Sequence, residues 1–190
     1  MFKKVLRNFI ELKTLVNRHD IALGVFTSTE FHATEFLTEF RPHVLNNLID
    51  RIRYQDFKPK LDLDRVFSKV YQQVYPYKFD DFTLRVIILY SRLDAEPCVE
   101  TSGALETLRS EFPYFTLDIL YMPQFSSTPS GKRKAFEQKR AQEIFESLVK
   151  IGDEKSYIFA VENSEDLASR VLKFLGHPAF REEQKKEWFG

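Results

Sequence analysis

The sequence predicts an α/β protein with a doubly wound, mostly parallel sheet, and two observations favour this class. The run Leu84–Tyr90 (LRVIILY) is the most apolar in the chain and is rich in β-branched residues, which is typical of a strand covered on both faces. On either side of it, short apolar runs alternate with helical patterns, the order that builds a parallel sheet wrapped by helices. We therefore expect Leu84–Tyr90 to be a central strand.

The composition indicates one domain with a substantial core. The chain has 190 residues, of which 43% are hydrophobic, and no linker rich in Pro, Gly or Ser divides it. Its 28 basic and 28 acidic residues balance, so no overall charge attracts it to nucleic acid or to an anionic membrane. Cys98 is the only cysteine, so no internal disulfide can form, which suggests a reducing compartment. No apolar run approaches the roughly 20 residues that a helix needs to span a bilayer. We expect residues 1–176 to form the domain, residues 177–190 to form a polar C-terminal tail, and the protein to occupy the cytoplasm and nucleus.

Apolar spacing in the N-terminal half predicts helices around one strand pair. The predicted elements are a helix Phe2–Val16, a strand Ile21–Phe26 with the hairpin partner Phe31–Phe36, a helix between Pro42 and Pro59, and a helix from Asp62 to Val74. We expect these helices to cover the sheet.

In the C-terminal half, helices and strands alternate. The predicted elements are a turn Asp94–Pro97, a helix capped by Thr101 or Ser102 and carrying Ala104, Leu105 and Leu108, a strand Phe115–Tyr121, a mobile loop from Met122 to Lys134, a long helix ending near Gly152, and a strand Tyr157–Val161.

The last predicted helix begins at Asn163 or Ser164. Its buried face is expected to contain Leu167, Val171, Leu172 and Leu175. Gly176 is expected to be its left-handed C-cap, and Pro178 prevents the helix from continuing.

The basic stretch 131–140 (GKRKAFEQKR) has two candidate functions, and we favour neither. Gly131-Lys132 lacks the partner glycine of a phosphate-binding loop, because Ser126 stands five residues earlier. A nuclear-import or nucleic-acid patch is the other candidate, but Glu137 and Glu143 dilute the positive charge. We interpret the stretch as a solvated helix face.

The residue pattern predicts no catalytic or cofactor site. Cys98 or a serine would need a histidine and a carboxylate within reach, and no histidine directly follows the two best strands. A triad is unsupported rather than excluded. The acid pairs Asp80-Asp81 and Glu182-Glu183 are explained by a turn and by the solvated tail.

The order of elements suits a von Willebrand A-type fold, which raises the question of a metal-dependent adhesion site. The usual pattern of such a site resembles Asp-x-Ser-x-Ser after the first strand and Asp-Gly after the fourth, and neither is present. Ser91-Arg92 occupies a strand end where an oxygen ligand would be needed, and Asp94 is a weak substitute. Because an arginine beside a divalent cation is electrostatically unfavourable, we expect no metal site.

Several short motifs resemble one family. They are Tyr90-Ser91-Arg92, Pro113-Tyr114-Phe115, Asp118, Tyr121, and Leu175 with His177-Pro178. These residues, within VIILYSR, SEFPYFTLDILYM and LKFLGHPAFREEQ, resemble the Merit-forty family, the von Willebrand A-like subunits of the BRISC and BRCA-one A deubiquitinase complexes. The order of elements supports the resemblance from Phe2 to about Glu183.

The resemblance implies a scaffold rather than an enzyme. In this family the subunit maintains the assembly by binding the subunit with ubiquitin-variant-like domains. A separate metalloprotease subunit, with its pseudo-enzyme scaffold, cuts ubiquitin chains of the lysine-sixty-three linkage. The family acts in DNA repair and checkpoint control in the nucleus and in deubiquitination in the cytoplasm. The alternatives are a metal-dependent adhesion domain and a small α/β hydrolase.

Two expectations follow for particular segments. Pro178 and Arg181, spaced as Pro-x-x-Arg within Gly176–Arg181, are the candidate partner-binding residues, because Pro keeps the chain extended and Arg can pair with a carboxylate. The family domain also has a strand before its first helix, in the middle of the sheet between Ile21–Phe26 and Leu84–Tyr90, and we expect the domain to be incomplete without it. The chain alone should then be poorly soluble or dependent on a partner.

Overall fold

The structure is a computed structural model that describes residues 2–16, 20–26, 31–33, 49, 60–78, 82–99, 103–125, 131–161, 163–176 and 186–187. The helices are α1 (Phe2–Val16), α2 (Asp64–Val74), α3 (Ala104–Glu111), α4 (Gly131–Ile151) and α5 (Ser164–Leu175), and a 3-10 turn follows α2 at Tyr75–Tyr77. The strands are β1 (Gly24–Phe26), β2 (Phe31–Ala33), β3 (Lys60–Asp62), β4 (Arg85–Tyr90), β5 (Glu96–Cys98), β6 (Thr116–Tyr121), β7 (Ile158–Ala160) and β8 (Lys186–Glu187).

The largest sheet is parallel and has the order β4-β6-β7-β8. Between successive strands the chain passes through α3, α4 and α5 in turn, which is the crossover connection that parallel pairing requires. The predicted α/β class with mostly parallel strands is therefore confirmed.

Helices cover both faces of this sheet. On one face, Val86 and Ile88 pack into a core to which α2, α3 and α4 all contribute. On the other face, Ile87 and Leu89 pack into a second core with buried residues of α5 and with Phe9 of α1. The alternation along β4 follows from the two-residue period of a strand, which directs successive side chains to opposite faces of the sheet.

The predicted central position of Leu84–Tyr90 is not what the structure shows. Among the described strands, β4 has β6 on one side and lies at the edge of the sheet. Arg85–Leu89 are accordingly only half-buried, whereas every residue of β6 is buried because β6 has a strand on each side. Among the described strands, β6 and β7 are thus the interior ones.

Two short sheets accompany the main one. The predicted hairpin is confirmed in a shorter form, since β1 pairs with β2 in antiparallel fashion and residues 34–36 lie outside the described residues. The other sheet was not predicted: β3 pairs in parallel with β5, which contains the last two residues of the expected turn Asp94–Pro97. Strands of three residues, one of them containing Pro97, carry too little periodicity to be recognised.

The helices before β4 were predicted with mixed success. α1 is confirmed at its predicted bounds. The helix between Pro42 and Pro59 lies outside the described residues except for Ile49, which is helical and fully buried beside Ile10. α2 begins at Asp64 rather than Asp62, because the Asp62 side chain accepts a hydrogen bond from the Asp64 N–H at 2.9 Å.

Glycines stand at the starts of α3 and α4. Thr101 and Ser102 lie outside the described residues, and the N-cap of α3 is Gly103, in the left-handed region at φ 72°. α4 begins at Gly131, inside the segment predicted as a loop, and ends at Ile151 as expected.

Although α4 has 21 residues, no helix of the described residues is long and apolar enough to cross a membrane.

The C-terminal region differs from the prediction in three respects. Leu172 is 58% exposed, and the buried face of α5 instead contains Leu167 and Phe174 with Val171 beside them. Gly103 alone among the described residues has positive φ, so the expected left-handed cap at Gly176 is wrong. Lys186–Glu187, predicted to be solvated tail, form β8 beside β7.

Candidate partner-binding site

An ion pair between two neighbouring strands lies beneath the end of α5. Arg85 is the first residue of β4, and its Nε and Nη2 both lie 2.7 Å from Oδ2 of Asp118 on β6. The Asp118 side chain is fully buried and that of Arg85 is 11% exposed. A buried carboxylate is tolerated only when its oxygens are paired, and Arg85 supplies this pairing.

The second oxygen of Asp118 is also bonded. Oδ1 accepts the backbone N–H of Tyr157 at 2.9 Å, directly before β7. One carboxylate therefore joins β4, β6 and the start of β7 at the amino end of the sheet.

Arg85 and Lys13 together hold the last carbonyls of α5. Arg85 Nη1 donates to the carbonyl oxygen of Phe174 and, at 3.2 Å, to that of Gly176. Lys13, on α1, donates from Nζ to the carbonyl oxygen of Leu175 at 2.7 Å. These carbonyls have no partner within the helix and carry its negative dipole end, so two cations satisfy them in place of the left-handed cap.

The predicted partner-binding residues Pro178 and Arg181 lie outside the described residues. They stand in the sequence between two points that the structure does describe, the end of α5 at Gly176 and the strand β8 at Lys186–Glu187. Their role in binding stays a prediction.

The carboxyl ends of the strands form the opposite edge of the sheet, where sites in such folds are usually found. Arg92 follows β4, and its Nε donates to Asp94 Oδ1 at 2.9 Å. The Arg92 carbonyl accepts the Tyr121 hydroxyl at 3.3 Å, and the Ala95 carbonyl accepts the Tyr90 hydroxyl at 2.6 Å. The guanidinium thus occupies the strand end where a metal-dependent adhesion site would need oxygen ligands.

Both tyrosines at this edge stay protonated over a wide pH range. Tyr90 and Tyr121 are 3% and 0% exposed, and their rings lie 5.9 Å apart. Burial raises the pKa of both phenols above the ordinary value of 10, because the low dielectric disfavours the phenolate. The tyrosines support the loop 91–95 rather than act as acids or bases at neutral pH.

Of the other candidates from the sequence, the structure describes Cys98 and His32. Cys98 is half-buried in β5, and its Sγ lies 3.6 Å from the Leu61 carbonyl oxygen. His32 lies in β2, opposite Val25 of β1. His19, His43 and His177 lie outside the described residues, as do Asp80-Asp81 and Glu182-Glu183. Across the described part of the chain, no group of three or more His, Cys, Asp or Glu residues is placed to hold a metal ion.

Arg85 and Lys13 are the residues that the sequence reasoning missed. A signal for Arg85 was present, because Arg85 and Asp118 both place a charge inside an apolar segment. Arg85 lies within the most apolar run, and Asp118 lies within the predicted strand Phe115–Tyr121. Two opposite charges inside two buried strands of adjacent βαβ units indicate an ion pair, because neither can be buried alone. Nothing in the sequence pattern distinguished Lys13 from the other lysines of α1.

Comparisons with known proteins leave the family open. No protein-family model matches the chain, and the search of curated proteins finds no match either.

Proposed function

We propose that the protein is a non-catalytic scaffold subunit with a von Willebrand A-like domain. In this proposal it maintains a deubiquitinase assembly of the BRISC or BRCA-one A type, specific for lysine-sixty-three-linked ubiquitin chains, in the cytoplasm and nucleus. The basis is the resemblance of Tyr90-Ser91-Arg92, Pro113-Tyr114-Phe115 and their companion motifs to the Merit-forty family.

One structural observation supports a scaffold in particular. The segment that contains Pro178 and Arg181 leaves α5 at a point held by Arg85 and Lys13, and the chain returns to the sheet at β8. A docking segment whose two ends are fixed loses less conformational entropy when it binds, so it binds more tightly for the same contacts.

The proposed contacts follow from the two side chains. Proline disfavours a helical conformation of the residue before it, and the guanidinium of Arg181 is a planar fork of donors that a carboxylate of the partner can accept in pairs. The partner is the subunit with ubiquitin-variant-like domains, which in turn connects to the metalloprotease and its pseudo-enzyme scaffold.

The test is co-expression with that ubiquitin-variant-domain subunit and recovery of the complex by affinity purification. The double variant Pro178→Ala/Arg181→Ala should lose most of the complex and keep its own melting temperature. Lys185→Ala is the control, because it removes one positive charge from the same segment and should leave recovery unchanged. Full recovery with the double variant would refute this docking role.

Adding a chelator to the same purification separates the proposal from an adhesion domain. Scaffold binding should not depend on a divalent cation, whereas metal-dependent adhesion requires one.

A further inference from the structure

The first half of α4 extends beyond the core. Residues 131–140 are all exposed or half-exposed, and Ala141 is the first residue of the helix that is buried. At 1.5 Å per residue, these ten residues form a projection of about 15 Å. Because α4 follows β6, the projection lies at the carboxyl edge of the sheet, opposite the end of α5.

The projection is strongly positive. Residues 131–140 contain five cations, Lys132, Arg133, Lys134, Lys139 and Arg140, against the single carboxylate Glu137. Arg133 pairs with Glu137 at 3.1 Å and Arg140 with Glu143 at 3.2 Å. In the part of the chain that the structure describes, no carboxylate pairs with the three lysines, so their charge is available to a partner.

An aromatic ring lies among these cations. Phe136 is 70% exposed, more than any other large hydrophobic side chain of the described residues. Lys132 and Lys139 are four residues before and three after Phe136, so the three side chains share one side of the helix. That side differs from the one containing Ala141, Ile144 and Leu148, which face the core.

We propose that the first half of α4 is a docking helix for an acidic segment of another protein. Phe136 packs against a short apolar cluster of that segment, and Lys132 and Lys139 pair with carboxylates on either side of the cluster. The charges select an acidic segment, and the ring requires apolar side chains that exclude water from it. This surface is separate from the α5 end and does not depend on the scaffold proposal.

A protein suits this surface better than a nucleic acid does. Single-stranded nucleic acids bind to several aromatic rings on which successive bases stack, and the projection offers one ring. A single apolar anchor between cations instead suits an amphipathic acidic segment of a protein, whose apolar side chains cover the ring while its carboxylates pair with the lysines.

The test uses a fluorescent peptide in which glutamates surround a short cluster of leucines, with binding followed by anisotropy. Lys132→Glu/Lys139→Glu should weaken binding by about tenfold or more, and Phe136→Ala by roughly fivefold. Lys150→Glu/Lys155→Glu is the matched control, because it makes the same charge change at exposed lysines away from the projection, and it should weaken binding by less than about twofold. Circular dichroism confirms that each variant is folded.

Three outcomes would overturn the proposal. An equal loss of binding affinity in Lys132→Glu/Lys139→Glu and in Lys150→Glu/Lys155→Glu would mean that only the net charge matters. Unchanged binding of Phe136→Ala would mean that the ring is no anchor. Tighter binding of a single-stranded oligonucleotide than of the peptide, lost in Lys132→Glu/Lys139→Glu, would make the projection a nucleic-acid surface.

Discussion

Arg85 and Asp118 form an ion pair with an Nη2 to Oδ2 distance of 2.7 Å, and through Arg85 this pair reaches the last carbonyls of α5. The ion pair therefore links β4 to β6, and the same guanidinium helps Lys13 to hold the end of α5.

Asp118→Ala should lower the free energy of unfolding by about 3 to 5 kcal/mol, because it leaves the Arg85 charge buried without its carboxylate. Asp118→Asn should cost less, since the amide oxygen can still accept the Tyr157 N–H. Urea unfolding measures both. A double-mutant cycle combines Asp118→Ala with Arg85→Met. The double variant should lose clearly less free energy of unfolding than the sum of the losses of the two single variants, and additive losses would mean that the pair does not interact.

Lys13→Met should loosen the end of α5 without disturbing the sheet. The variant keeps the alkyl chain and loses the hydrogen bond to the Leu175 carbonyl, at a cost of about 1 kcal/mol. Amide hydrogen exchange should accelerate in the last turn of α5 and stay unchanged in β6. Lys4→Met, at an exposed position of the same helix, is the control and should leave exchange in α5 as it was.

Stability should fall at alkaline pH. Because burial raises the pKa of Tyr90 and Tyr121, the unfolded chain ionises from pH 10 upward while the native state remains protonated. The native state then binds more protons than the unfolded state, so the free energy of unfolding decreases by up to about 1.4 kcal/mol per pH unit for each tyrosine. Below pH 10 these two groups contribute no pH dependence.

Urea unfolding between pH 8 and pH 11 measures this slope. Tyr90→Phe should reduce the slope at the alkaline end and should also lose the hydrogen bond to the Ala95 carbonyl. The same slope in Tyr90→Phe and in the unchanged protein would contradict the assignment to Tyr90.

Two glycines of helix starts should respond in opposite directions to alanine. Gly103→Ala should destabilise the protein by about 1 to 2 kcal/mol, because its φ of 72° places a Cβ against the following carbonyl oxygen. Gly131→Ala should be neutral or stabilise by up to about 1 kcal/mol, since a Cβ there meets no atom within 4 Å. Thermal melts of the two variants suffice, and equal shifts would be inconsistent with the backbone argument.

Magnesium or calcium should not change the melting temperature. The guanidinium of Arg92, paired with Asp94, stands at the end of β4 and repels a divalent cation. A ligand that binds only the native state must raise its stability, so an increase of several degrees at millimolar cation would refute this expectation.

The sequence predicted long elements well and short ones poorly, for a physical reason. α1, α4 and β6 show many repeats of the helical or strand period, so their type could be read from apolar spacing. β3 and β5 have three residues each, and β8 has two charged residues, which pair with β7. Such strands leave no periodic pattern to detect.

The end of α5 shows a different limit. Gly176 suggested a left-handed cap because glycine favours that conformation, but Lys13, 162 positions away from Leu175 in the sequence, supplies a cation to the exposed carbonyls. Leu172 was assigned to the buried face although it lies a third of a turn away from Val171, whereas Phe174 completes the spacing set by Leu167 and Val171. Contacts between distant segments are decided by the tertiary fold and not by the local pattern.

The position of β4 has a consequence for the behaviour of concentrated protein. Among the described strands, only β6 pairs with β4, so the backbone N–H and C=O groups on the other side of β4 pair with none of these strands. An unpaired strand edge is a template on which a strand of another molecule can grow. Arg85 stands before the hydrophobic residues of β4, and Arg92 stands after them. Charges at such flanking positions oppose cross-β stacking. Here both guanidinium groups are paired with carboxylates, which reduces their repulsion of another strand. Fibril formation should therefore begin at β4. A peptide of residues 84–90 should form fibrils, and Ile87→Lys in that peptide should lengthen the lag phase.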